Sequence, residues 1–216
     1  VSALAAGDNL WAQGEIKLPR PVLQGKISVE QAITGRKTAR EFKAAPLSLG
    51  EVGQLMWAAN GVLPADAITS ATRKVMPSAG GLYPLEVFIL TGNNTVESVP
   101  AGVYQYNANT HSLKGVSTGD KRTLLAHAAL GQMWLARAPA VVVIGAIFAR
   151  TTGKYGNRGV NYVFMEAGNS DQNLCLQAEA LGLRTGTVGA FNDAQVAGAI
   201  QMPDGTAPLL VIGVGK

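Results

Sequence analysis

The chain has 216 residues, 47% of them hydrophobic and 15% charged, with net charge +4 and a pI near 9.3. That composition buries a sizeable core and excludes a disordered chain, which is polar and charge-rich; the surplus of cations mildly favours an anionic ligand, but it lacks the aromatic-basic interleaving of a nucleic-acid binder. One cysteine, Cys175, and two histidines, His111 and His127, exclude a disulfide framework and a multi-cysteine zinc site, and the longest apolar run, 140–148, is nine residues against the ~20 of a spanning helix.

Residues 1–25 lack periodicity and contain Pro19 and Pro21, so they are expected to form an extended arm, with 26–216 as a single domain. The first residues, VSALAAGD, suit equally the neighbourhood of a signal-peptide cleavage site and a trimmed boundary. Cytoplasmic and periplasmic or exported placements therefore both stay open. Ser28 with Gln31, and Ser48 with Glu51, have the spacing of capping boxes. They predict a short helix stopping at Gly35 and a second one ending at Gly61, with Val52, Leu55, Met56 and Ala59 on one face. Residues 64–72 read as a loop.

Strands are expected at 86–91, 103–106 and 112–116, the last two as a hairpin around Asn107-Ala108-Asn109. Asp120 is expected to cap a helix reaching Leu130. The β-branched run 141–148 predicts a strand covered on both faces. A long helix is expected over 160–181, ending at Gly182, with apolar residues on more than one side and hence central and buried. A strand at 184–191, a short helix at 193–200 and a strand at 208–214 complete an α+β sandwich around a mixed, mainly antiparallel sheet.

Four stretches are able to carry chemistry. GRKTAREF and the lysine after it place Arg36, Lys37, Thr38, Arg40 and Lys43 within eight residues, which suits a phosphate, although the spacing alone fits a solvated helix end better. TRKVMPSAGGLYPLEV brings Pro77, Ser78, Ala79, Gly80 and Gly81 just ahead of a strand. Its backbone can approach a planar ring or an anion, or simply turn. GTVGAFND, 186–193, offers either backbone donors or a tight turn with Asp193 as cap. Lys154-Tyr155, between Gly153 and Gly156, is a proton-transfer pair if burial tunes it, and otherwise an exposed polar loop. No GxGxxG, Walker or GxSxG pattern is present, and no metal-ligand spacing.

Taken in order, GRKTAREF, PLSLGEVGQLMWAANGV, TRKVMPSAGGLYPLEVFIL, KYGNRG, EAGNSDQNLCLQAEALGL, GTVGAFND and VIGVGK resemble the FMN-dependent nitroreductase family over residues 25–216. The likeness is greatest to the branch with SagB-type azoline dehydrogenases. The resemblance implies an intertwined homodimer with FMN at the interface, turned over by NADH or NADPH and a nitro- or quinone-like acceptor. It places Arg36, Lys37 and Thr38 at the phosphate and ribityl end, Arg40 near the N1/O2 edge, and Pro77, Ser78, Ala79 and Gly80 along the ring. Gly189 and Ala190 fall near N5, and Lys216 at a further phosphate contact. Lys154 and Tyr155 match the pair associated with azoline oxidation in peptide modification. Gly81 and Tyr83 stand where nitroreductases often carry asparagine and glutamine, and Asn169 where the branch often has histidine. A flavin-binding protein without turnover is the third reading of the same motifs.

Overall fold

The computed structural model of the protein describes residues 15–64 and 73–216. Most of the expected arm and of the 64–72 loop lie outside the described residues. In chain order the elements are β1 (Ile16–Lys17), α1 (Val29–Gly35), α2 (Leu49–Asn60), β2 (Val62–Leu63), β3 (Arg73–Lys74) and β4 (Leu85–Thr91). Then come β5 (Gly102–Asn107), β6 (Ser112–Thr118), α3 (Arg122–Ala128), α4 (Trp134–Arg137), β7 (Ala140–Ala146) and α5 (Ala149–Tyr155). The chain ends with α6 (Arg158–Ala180), β8 (Arg184–Val188), α7 (Asp193–Ile200) and β9 (Ala207–Gly215).

Both capping boxes form as their spacing requires. Ser28 Oγ accepts from Gln31 N–H while Gln31 Oε1 accepts from Ser28 N–H, and Ser48 does the same with Glu51. Each pair satisfies two backbone donors that a helix start would leave bare, an effect worth ~1 kcal/mol per cap.

Seven strands make one sheet in the order β1-β6-β5-β4-β7-β9-β8, every named pair antiparallel. Among the described residues, parallel pairing is confined to the isolated bridges Thr38 to Thr185 and Leu47 to Val96. β2 and β3 form a separate small hairpin. β7 lies inside the sheet between β4 and β9, as its sequence implies. Ala140, Val142, Ile144 and Ala146 join the core under α2 and α6, while Val141 and Val143 join the one under α3, α4 and α7. Each buried Val or Ile there contributes on the order of 1.5–3 kcal/mol. Two helical layers thus enclose the sheet, the α+β sandwich that the element pattern predicts.

Three expectations are corrected. α5 occupies 149–155, where a loop was expected, and Gly156 at φ 56 separates it from α6, which is the expected long helix. α6 is buried on one side only. Val163, Ala167, Leu174 and Ala178 are in the core, whereas Phe164 and Met165 stay more than half exposed. Finally, Asp120 does not cap the next helix. The cap position falls on Lys121, and Asp120 instead grips Arg122, whose Nη2 is 2.6 Å away.

Candidate active site

The glycine turn sits on α6. Ala79, Gly80 and Gly81 form one 3-10 turn, with Gly80 at φ 61 and Gly81 at φ 66, a region that L side chains rarely enter. Its anchor is Glu166. That carboxylate is 3% exposed, and its Oε1 accepts the Ala79 N–H at 2.9 Å. Burial pushes the Glu166 carboxyl above its ordinary range, against the opposing pull of the Ala79 N–H and the Ser78 hydroxyl. Its Oε2 finds no hydrogen-bond partner among the described residues. Ser78 Oγ in turn accepts from Tyr83 N–H at 2.8 Å, which closes the turn.

The lysine-tyrosine pair reaches the same turn. Both residues end α5, and a methyl group built on Gly80 would lie 2.8 Å from the Tyr155 hydroxyl and 3.0 Å from Lys154 Nζ. The two polar tips therefore occupy the space that the missing side chain leaves. Lys154 is exposed and Tyr155 half-buried. Nζ lies 5.4 Å from the Tyr155 ring centre, and that ring meets Tyr162 edge-on.

The basic segment docks on β8. Ala39 N–H donates to Thr185 O at 2.8 Å, which lays residues 36–40 beside β8. Arg36 acts on Asp171 of α6, five residues past Glu166, or ~7.5 Å along the axis. Burial raises Asp171, while the Thr187 hydroxyl (2.9 Å), Cys175 and Arg36 pull it back. Cys175 is buried beneath this network. It accepts from Thr185 Oγ1 at 3.3 Å, and burial, reinforced by the charge of Asp171, pushes its thiol up to about 11. Arg36, Lys37 and Arg40 make no ion pair within 4 Å among the described residues.

β8 then delivers Gly189 and Ala190, both exposed, at its end. Asn192, rather than Asp193, caps the helix that follows. Lys216 ends β9 with its Nζ 3.8 Å from Glu51 Oε2, so an anion there would compete with a carboxylate. Glu166, buried, and Asp171, half-buried, are candidate-site carboxylates that no sequence motif marks. Both lie inside EAGNSDQN, but a carboxylate on a helix face signals nothing until its burial is known. A glycine turn on α6 and a cationic segment beside β8, without an ion pair within 4 Å among the described residues, suit a flat group with an anionic tail. No cluster among the described residues suits a metal, and no helix among them is long and apolar enough to cross a membrane.

An antiparallel sheet walled by helices, with a glycine turn anchored on the long helix and a basic segment beside β8, defines a nitroreductase-like oxidoreductase. The chain belongs to the nitroreductase family, whose model matches residues 33–216. It is 38% identical over 191 residues to a protein of Methanocaldococcus jannaschii that bears a provisional nitroreductase name, covering 88% of this chain and 92% of that one. It is 32% identical over 145 residues to the microcin B17-processing protein McbC of Escherichia coli, covering 65% of this chain and 53% of that one. A solved structure with a provisional nitroreductase name, from Ralstonia eutropha JMP134, superposes with a TM-score of 0.79 at 25% identity, covering 95% of this chain and 90% of that one.

Proposed function

We propose that the protein is an FMN-dependent oxidoreductase that passes hydride by a ping-pong cycle from NADH or NADPH to a small nitro- or quinone-like acceptor. The observation that carries this reading is a positive-φ glycine turn anchored on Glu166 of α6, with a basic segment beside β8 whose Arg36 acts on Asp171 of the same helix. When bound, FMN supplies the hydride chemistry at N5; the chain supplies binding, orientation and charge. Arg36, Lys37 and Thr38 hold the phosphate and ribityl end, with Lys216 as a further cation. Arg40 stabilises the negative charge that appears only on reduction. Pro77, Ser78, Ala79 and Gly80 line the ring without side chains to push it away. Gly189 and Ala190 present backbone N–H groups on the N5 side.

In the same reading residues 26–216 act as one cofactor-binding domain and two copies assemble. Val29 and Ile33 on α1, and Phe164 and Met165 on α6, are 53–65% exposed in the single chain. A second copy would cover these apolar side chains and complete the site. The test is direct. Excess FMN should raise the melting temperature and NADH or NADPH should bleach the bound yellow colour; a protein that stays colourless and unshifted refutes the reading.

One observation favours a second activity, an azoline-type dehydrogenation in peptide modification. Lys154 Nζ and Tyr155 OH both border Gly80, at the ring-lining turn. There Lys154 would take a carbon-bound proton while hydride leaves for the cofactor. The likeness to a microcin-processing protein supports this. Lys154→Ala is then expected to abolish azoline oxidation while reduction by nicotinamide stays near wild type. Full azoline oxidation by the variant would remove the case.

A further inference from the structure

Across the Tyr83 turn from the glycine loop lies a polar cavity of about 390 Å3. Asn60, Lys74, Glu86, Gln105, Lys114 and Arg150 line it, three cations against one carboxylate. That carboxylate is already committed. Glu86 Oε1 pairs with Arg150 Nη2 at 2.7 Å, and Oε2 accepts from Gln105 Nε2 at 2.9 Å. Lys74 and Lys114 are left without a carboxylate within 4 Å among the described residues.

Lys74 is set up in detail. Asn60, 3% exposed, is turned by its own bond to Leu85 O and presents Oδ1 to Lys74 Nζ at 2.9 Å. The half-buried ammonium stands 5.4 Å from the Tyr83 ring centre. It has three donors and Asn60 takes one. Burial lowers its pKa, and the charge of Arg150 adds to this while Glu86 opposes it. An incoming carboxylate would meet the remaining donors and return counter-charge to a partly dry site, where such pairs are strongest.

The cavity adjoins the chemistry. Arg150 and Lys154 are four residues apart on α5 and so share a face, with Cβ atoms about 6 Å apart. Tyr83 ties the glycine turn to two of the cavity's cations: its N–H bonds Ser78, its carbonyl accepts from Arg150 at 3.2 Å, and its hydroxyl accepts the Lys74 backbone N–H at 3.3 Å. These bonds hold Tyr83 at φ 46, left-handed backbone that a bulky residue adopts only under such constraint.

We propose that this cavity anchors the carboxylate of the organic substrate, with Lys74 as its main partner. The preferred substrates are therefore small organic acids that place their reducible group about one helical turn from the anchored end. The proposal rests on the flavin-reductase reading, and its test separates the two. The probes are 4-nitrobenzoate and 4-nitrobenzamide, which share the reducible group and differ in charge. In the holoenzyme the acid should show roughly tenfold the kcat/KM of the amide, equivalent to about 1.4 kcal/mol, with the gap in KM. Lys74→Met should erase that gap and Lys74→Arg should keep most of it. Calorimetry on the oxidised holoprotein, with no electron donor present, should show the same preference.

Equal kcat/KM for acid and amide, or a gap that survives Lys74→Met, overturns the anchor. A loss confined to the KM of NADH or NADPH overturns it too, and gives the cavity to the nucleotide's phosphate. Calorimetric preference for the acid without reduction of either probe supports the anchor and sinks the nitro-acceptor reading alone. Should Lys74→Met melt far below the wild type, the exposed Lys114→Met variant carries the comparison. The same gap must then narrow, and an unchanged gap overturns the proposal.

Discussion

Replacing Glu166 with alanine is expected to cost about 1–3 kcal/mol of stability and to weaken FMN binding by roughly tenfold. The Ala79 N–H would lose its 2.9 Å acceptor, and the glycine turn a tie to α6. Glutamine should behave differently. Its amide oxygen still accepts the bond, and it carries no charge into a site that is 3% exposed. The pH dependence separates the two replacements. Burial raises the folded-state pKa of Glu166 above its ordinary 4.5. The acid form is thus favoured by folding: its contribution is full below that value and lost as pH rises through the folded pKa. Urea midpoints from mildly acidic to alkaline pH should show wild type losing stability relative to Glu166→Gln as pH rises. FMN affinity, read by fluorescence quenching, should be near wild type for Gln and reduced for Ala. If Gln binds as poorly as Ala, the anchor role is wrong.

Gly186→Ala should be as disruptive for a purely steric reason. A methyl group there would meet the Ala39 carbonyl oxygen at 2.1 Å and the Trp134 ring at 2.9 Å. The carbonyl is backbone and cannot swing aside, because the same residue's N–H bonds Thr185 O at 2.8 Å. Relief requires the 36–40 segment to lift off β8, at about 1–3 kcal/mol. Arg36, Lys37, Thr38 and Arg40 would move with it, so FMN affinity should fall alongside the melting temperature. Gly189→Ala is the control for stability: its methyl group would have nothing within 4 Å. Matching thermal stability for the two variants would show that the basic segment is not docked through Gly186.

The parts of this fold that show in the sequence are those whose cause is local. Ser28 with Gln31 and Ser48 with Glu51 encode helix starts in four residues, and both form. The 140–146 run shows its double burial through unbroken apolarity. What stays hidden depends on distant partners or lacks any pattern. α5 begins at Phe148 without a capping side chain and contains Gly153, so its sequence looks like loop. β1, β2 and β3 are two residues long, too short for periodicity. Within the site, the basic and glycine stretches stand out by composition. The role of Glu166 does not, since the group it holds is 87 residues away. Nor does the meeting of Lys154 and Tyr155 with Gly80, which requires α5 to exist first.

The chain's one cysteine, Cys175, is buried, and its thiol titrates near 11. At neutral pH it is a protonated, sheltered sulfur, and maleimides or iodoacetamide reach such a group slowly. A cysteine introduced at an exposed position such as Asn169 would therefore be the one fast-reacting thiol. The protein comes ready for single-site spectroscopic labelling without removal of its own sulfur, so subunit association and motion of the glycine turn could be followed on an otherwise unaltered chain.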